Sequence, residues 1–409
     1  MAFAFMLPGC VDDPTRRQVG SDRNAASGQP EPAASPVHGA DEGGKLEDGI
    51  ALCLSGGGYR AMLFHVGAVW RLNELGYLSK LNRISSVSGG SITNGVLAHN
   101  WPQLQFDTGG VATNLDEQFV RPLRRLASKT IDKGAVFKGI LLPGTISERI
   151  AGSYRDNLFG KKRLDQLPDD PRFIFNATSM QTGRLFRFSK PYLADYTVGV
   201  LRNPKVELAT AVAASSAFPP ILSPVVVELD ASAWDPPAKN EPNHREPYTT
   251  KAVLSDGGVY DNLGLETAWK RYRTILVSDG GGAMGAEPKP HHDWARHAYR
   301  TLGVIDTQVR SLRKRQVVHG YLTGERNGTY WGIRSHTKDY GPPEQSLPCP
   351  EDKTLALART ETRLAQMDDA LQQRLINWGY AICDVGMRRW VEPDAPPPAA
   401  FPYPAAGLG

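Results

Sequence analysis

Three short segments of the chain combine residue types that chemistry needs. Ser86-Val87-Ser88-Gly89-Gly90 sets a serine in a tight glycine turn at the end of an apolar run. A serine held on such a strand-to-helix turn becomes a nucleophile for acyl transfer when a base takes its proton and amides face the developing oxyanion. The segment keeps the central serine and final glycine of the G-x-S-x-G elbow, with Ser86, the next smallest polar residue, in place of the first glycine. A Ser-Gly-Gly turn entering a helix is equally the pattern of an N-cap, whose hydroxyl only accepts backbone amides. Taken alone, the segment leaves both readings open.

The second segment, Ser55-Gly56-Gly57-Gly58-Tyr59-Arg60, ends the neighbouring apolar run. Its glycines let backbone N–H groups turn inward at a helix N-terminus, where they could form an oxyanion hole or hold a phosphate. It lacks the Lys-Ser/Thr of a P-loop and the spacing of G-x-G-x-x-G, and no acidic residue ends the second strand to meet a ribose. In the third segment, Ser255-Asp256-Gly257-Gly258-Val259-Tyr260-Asp261-Asn262, an aspartate starts a glycine turn after an apolar strand. Aspartate is also a plain turn former, and Ser278-Asp279-Gly280-Gly281-Gly282 repeats the arrangement, so Asp279 stands as a rival to Asp256.

The elements that must carry these turns are legible from periodicity. Residues 50–54 form a short buried strand, followed after the glycines by helical spacing over 59–75 that stops at Gly76. The unit recurs as a strand over 83–87 and a helix over 91–100. Two successive strand-turn-helix units predict a parallel sheet with helices on its faces and a site beyond the carboxyl ends of its strands. Further strands are expected at 173–177, 185–188, 253–254, 274–278 and 329–334, with a small-residue helix over 209–218 stopped by Pro219-Pro220. Helical patterns fill most of 106–167, then 294–321 and 354–390. The loose segment 136–144 fits either a lid that meets lipid or a buried helix end.

Together the segments resemble the patatin-like phospholipase family, in its bacterial serine acyl hydrolase form. Gly-Gly-Gly-Tyr-Arg at 56–60, Ser-x-Ser-x-Gly at 86–90, Ala-Ser-Ser-Ala-Phe-Pro-Pro at 214–220 and Asp-Gly-Gly at 256–258 follow the family's order, over about residues 48–285. The resemblance implies an α/β fold, a three-layer parallel or mixed sheet with helices on both faces, here with a C-terminal helical extension. It implies Ser88 as nucleophile, Asp256 taking its proton directly, and an oxyanion hole at Gly56, Gly57 and Gly58. Gly89, Gly90, Gly257 and Gly258 would support the two turns, and Arg60 would hold the glycine loop or meet a lipid head group. The run Val-Tyr-Asp-Asn-Leu-Gly after Asp256 favours it over Asp279. A Ser-Asp dyad leaves His291, His292, His297, His319 and His336 without a catalytic part. The implied substrate is a lipid acyl ester, with phospholipid, lysophospholipid, glyceride and plain carboxylester all compatible. No metal or cofactor is required.

Bulk properties bound this reading. The net charge of +4, from 47 basic and 43 acidic residues, excludes a dedicated nucleic-acid binder but suits an anionic membrane surface. Cys10, Cys53, Cys349 and Cys383 show no zinc or disulfide spacing. Residues 1–45 form an expected head and linker: an apolar start ending in Leu-Pro-Gly-Cys10, like a bacterial lipobox, then a polar, disordered tether. A catalytic domain over 46–285, a mainly helical extension over 286–392 and a frayed Pro-rich tail over 393–409 are expected to follow. Two other classes stay open: a catalytically silent lipid-binding protein and a nucleotide-binding α/β enzyme.

Overall fold

The computed structural model describes residues 46–131 and 146–409, apart from positions 221, 239 and 283. The head with Cys10 and the segment 136–144 lie outside the described residues. In chain order the elements are β1 (Glu47–Leu54), α1 (Gly58–Glu74), β2 (Arg83–Ser86), α2 (Gly89–Asn100), α3 (Arg121–Ala127), α4 (Ile146–Tyr154), β3 (Arg172–Ser179), β4 (Leu185–Phe188), β5 (Tyr192–Asp195) and β6 (Gly199–Arg202). There follow α5 (Leu208–Ser215), β7 (Val225–Glu228), β8 (Lys251–Asp256), α6 (Gly258–Asp261), α7 (Glu266–Trp269), β9 (Tyr272–Asp279), α8 (Trp294–Leu322), β10 (Asn327–Gly332), α9 (Glu351–Ala358) and α10 (Asp369–Trp390).

The strands make one ten-stranded mixed sheet: eight follow the order β10-β9-β1-β2-β3-β4-β5-β6, and off this path β8 pairs with β3 and β7 with β8. Neighbours from β10 to β3 run parallel, and those from β3 to β6 antiparallel. Both faces are covered, as a parallel sheet demands. Alternate residues of β1 enter separate cores: Leu52 and Leu54 pack with Met62 and Phe64 of α1 and Ile376 of α10, while Ala51 and Cys53 pack with Trp269 of α7 and Val317 of α8. Helices α1 and α10 touch backbone to backbone through two glycines. A Cβ on Gly67 would lie 1.9 Å from the Ile376 carbonyl, and one on Gly379 would lie 1.8 Å from that of Phe64.

Strand β3 brings the serine elbow and the Asp256 turn together. Its residues Arg172–Phe175 pair with β2, up to Ser86 opposite Phe175. Farther along, Ala177 and Thr178 pair with β8, Asp256 lying opposite Ala177. Because β4 holds the other edge of β3 over Phe175–Thr178, β2 and β8 share one edge and arrive from opposite ends. The elbow after β2 and the aspartate closing β8 therefore meet two residues apart along β3.

Two expectations change. The 354–390 pattern is not one helix: α9 ends at Ala358, and the next segment crosses to the glycine loop, where the Arg363 carbonyl accepts the Tyr59 N–H at 3.0 Å. The tail over 393–409 does not fray. Asn377 binds it from α10, donating to the carbonyls of Tyr403 (2.8 Å) and Gly407 (2.7 Å) and accepting the Tyr403 N–H at 2.9 Å. Leu408 is buried in the main core. Its Pro-rich composition predicts no regular element, but ordering here comes from α10.

Candidate active site

Ser88 sits between β2 and α2 with φ 51° and ψ −120°, a left-handed conformation that costs a non-glycine residue about 1–3 kcal/mol. A buried polar network holds it there. The Ser88 N–H donates to the Ser215 carbonyl at 3.1 Å, and the Ser215 hydroxyl donates to the Asn176 carbonyl at 2.6 Å. Asn176 donates to the Ser86 carbonyl, and the Ser86 hydroxyl meets Ser91 and Asn94, each at 2.9 Å. Ser86 thus anchors the turn through bonds that a glycine could not make. The glycines serve close approach: a Cβ on Gly89 would lie 2.2 Å from the Gly58 carbonyl, and one on Gly90 would lie 2.4 Å from that of Leu54. The elbow and the glycine loop are therefore in backbone contact.

Asp256 is 1% exposed. Its Oδ1 accepts the Gly258 N–H at 2.7 Å. Its Oδ2 is buried and has no partner of full hydrogen-bond geometry among the described residues. Burial pushes the carboxyl up to about 7, against the pull of the Gly258 amide and of the nearby Ser88 hydroxyl, with Asp306 adding a smaller upward push. An oxygen left open beside a serine suits a base whose bond to the nucleophile closes only when substrate binds. Gly257 has no room for a side chain, its Cβ position being 2.2 Å from the Asn176 carbonyl. Its N–H donates to Ser215 O at 3.2 Å. One carbonyl, that of Ser215, therefore clamps both turns, a role that the small-residue pattern of α5 does not announce.

Of the three loop glycines, Gly56 is committed elsewhere, its N–H donating to the Asn262 carbonyl at 3.1 Å. Gly57 (φ 146°) and Gly58 (φ 61°) open α1 in conformations that favour glycine. Their N–H groups have no acceptor among the described residues. Arg60 is 2% exposed and braces this loop: its Nε donates to Gly280 O at 3.1 Å and its Nη1 to Thr360 O. Buried in this way, with Arg310 nearby, it has its pKa lowered to about 10.

Asp279, also buried, has a different setting. Its Oδ2 accepts the Tyr330 hydroxyl at 2.7 Å, and its Oδ1 accepts the Gly281 N–H at 2.9 Å and lies 3.5 Å from Arg310 Nη2. Burial opposes its ionisation, but Arg310, Tyr330 and Gly281 together hold its pKa below the usual value. Of the five histidines left aside, His291 faces Glu287 and His336 faces Glu351. His292, His297 and His319 are exposed on the surface. His65, which the sequence does not single out, lies buried between Ser278 Oγ (2.8 Å) and Ser55 O (2.9 Å), and burial lowers its pKa to about 4. Among the described residues no histidine makes a hydrogen bond to Ser88.

A family model described as patatin-like phospholipase matches residues 52–269, more than half of the chain. The chain belongs to the patatin-like phospholipase family. The match spans the glycine loop, the elbow and Asp256 alike. No curated protein matches it by sequence. Among solved structures, human GIVD cytosolic phospholipase A2 is 13% identical with a TM-score of 0.47, over 82% of this chain and 58% of that one. VipD from Legionella pneumophila is 14% identical with a TM-score of 0.32, over 83% of this chain and 66% of that one. The chain thus spans about three fifths of the length of the human enzyme.

Proposed function

We propose that this patatin-like protein is a serine carboxylic ester hydrolase that cleaves lipid acyl esters through an acyl-enzyme on Ser88, with Asp256 as the base. The observation that carries the reading is the meeting of β2 and β8 on one edge of β3, which sets an open, buried carboxylate oxygen beside a serine on a strained elbow. Ser88 Oγ attacks the ester carbonyl while its proton passes to Asp256. The oxyanion is held by the free amides of Gly57 and Gly58, at the positive end of α1. The protonated Asp256 returns the proton to the departing alcohol or lysolipid. It then takes a proton from the water that attacks the acyl-enzyme and passes it to the Ser88 oxygen as the acyl bond breaks, which releases the fatty acid and restores both residues. The competing reading, a silent lipid-binding protein, needs neither the strained serine nor the open base.

A membrane surface is the second partner in this proposal. No helix among the described residues is long and apolar enough to cross a bilayer. Helix α8 supports contact at the membrane surface. Trp294 (85% exposed), Leu302, Ile305 and Leu312 stand on one solvent-facing side. The helix carries six arginines and lysines against one carboxylate, Asp306. An apolar stripe set among cations fits an anionic lipid surface better than a second copy of the same basic helix.

The test of the hydrolase is covalent. A fluorophosphonate probe should add one equivalent of mass to the wild type, on the peptide that carries Ser88, and none to Ser88→Ala. Labelling retained by Ser88→Ala would remove the nucleophile assignment. A series of p-nitrophenyl esters of increasing chain length would then grade the substrate.

A further inference from the structure

Behind the glycine loop lies a cavity of about 240 Å³ that the hydrolytic reading does not use. It is lined by Asp279, Gly282, Arg310, Lys314, Tyr330 and Arg334, contributed by the turn after β9, by α8, and by the end of β10 with the residues after it. Its charges do not balance. Asp279 is already committed to Tyr330, Gly281 and Arg310. Asp306, one turn before Arg310 on α8, also has Arg310 as its charge neighbour. Among the described residues Lys314 meets the face of the Tyr330 ring, 4.6 Å from its centroid. Neither Lys314 nor Arg334 has a carboxylate partner among the described residues. Behind Gly282 stands a further cation, Arg60, whose Nη2 lies 2.9 Å from the glycine's Cβ position and is buried without a hydrogen-bond partner among the described residues. Arg310 and Arg334 both add repulsion to Arg60.

Cations gathered without compensating anions repel one another, and the cheapest relief is an anion that several of them share. A phosphate offers several oxygens at once: a guanidinium can grip two of them in a fork, and an ammonium adds a compact point charge. At about 30 Å³ for each water, 240 Å³ exceeds what a bare phosphate fills, leaving room for the group to which it is esterified.

We propose that the cavity between α8 and the carboxyl ends of β9 and β10 binds a phosphate group, through Lys314 and Arg334 with Arg310 behind them. A phospholipid head group and a soluble phosphate both carry this chemistry. The site is separate from Ser88 and does not depend on the hydrolase reading.

The experiment uses the full chain with Ser88→Ala, so that nothing is turned over. Inorganic phosphate is titrated by calorimetry, and cosedimentation is measured with phosphatidylcholine vesicles with and without phosphatidic acid. Both are repeated after adding Lys314→Gln and Arg334→Gln, and after adding Lys161→Gln and Lys205→Gln, which remove the same charge from exposed positions away from α8 and the cavity. We expect the cavity pair to weaken binding at least about tenfold, the loss of charge-assisted bonds, while the outer pair changes it little. Loss of inorganic phosphate binding identifies a soluble phosphate as sufficient. Loss confined to vesicles with phosphatidic acid identifies the head group as the source. Equal effects of the two pairs, or no binding of either probe to the parent chain, would overturn the proposal. Both cavity residues are exposed, and circular dichroism checks that the variants fold.

Discussion

The ends of β8 and β9 carry nearly the same words, Ser-Asp-Gly-Gly at 255–258 and Ser-Asp-Gly-Gly at 278–281. In both, a buried aspartate closes a strand and accepts the N–H of the residue two positions on, Gly258 at 2.7 Å and Gly281 at 2.9 Å. Yet burial raises Asp256 to about 7, while Asp279 stays below the usual range. The difference comes from the third dimension. Asp279 faces Arg310 and the Tyr330 hydroxyl, and both of its oxygens are engaged. Asp256 faces a serine and no cation, and one oxygen is open. An identical turn therefore yields a structural ion pair in one place and a candidate base in the other.

The largest expected effect lies on the serine that faces only one of the two. Ser88→Ala should lower kcat by about 10⁴-fold or more in an ester assay, as the loss of a catalytic nucleophile does. The glycine loops should divide next. Gly58→Ala forces a Cβ to 2.6 Å from the Arg363 carbonyl at φ 61° and turns an oxyanion amide away, costing about 10²-fold to 10³-fold in kcat. Gly281→Ala instead drives a Cβ to 2.3 Å from Arg310 Nη2, and should lower the unfolding temperature with a much smaller change in kcat. Equal kinetic damage from both glycines would erase the distinction.

The pH dependence follows from which aspartate works. A base must be ionised, so kcat/KM should fall about tenfold per pH unit below about 7, the value to which burial lifts Asp256. A limb only below the usual carboxylate range would point to Asp279. Stability should move in opposite directions. A carboxyl whose pKa rises on folding binds more protons in the native state, so it costs stability progressively from its unfolded value of about 4 to its folded value of about 7, and fully above that. Asp256→Asn should therefore raise the unfolding temperature at pH 8, a gain of about 1–4 kcal/mol that fades as the pH falls toward 4. Asp279→Asn strands Arg310 and should lower it. Smallest of all, Ser215→Ala keeps the carbonyl clamp but loses the hydroxyl bond to Asn176, with an expected loss of about tenfold in kcat.

Local pattern made much of this site legible. The strand at 50–54, the two glycine turns and the elbow each declare themselves within a few residues, because they depend on backbone geometry that few residue types allow. What separates Asp256 from Asp279 does not, since Arg310 and Tyr330 belong to α8 and β10, far along the chain. The Ser215 clamp is hidden for a related reason: its carbonyl does the work, and a carbonyl leaves no mark on residue type. The pattern puts Gly56 in the oxyanion hole, but its amide goes to Asn262, a partner distant in sequence that follows the Asp256 turn. The crossing of 359–368 over the glycine loop is similarly non-local, and so is the order of the Pro-rich tail, which Asn377 imposes from α10.

The most direct test sets Asp256→Asn beside Asp279→Asn in one ester-hydrolysis assay at pH 8, with the folded fraction of each variant measured by thermal unfolding. The account predicts that Asp256→Asn is the more stable protein and loses about 10³-fold or more in kcat, while Asp279→Asn is the less stable and keeps its kcat within about tenfold of wild type. Activity surviving in Asp256→Asn, or lost in a folded Asp279→Asn, would contradict it.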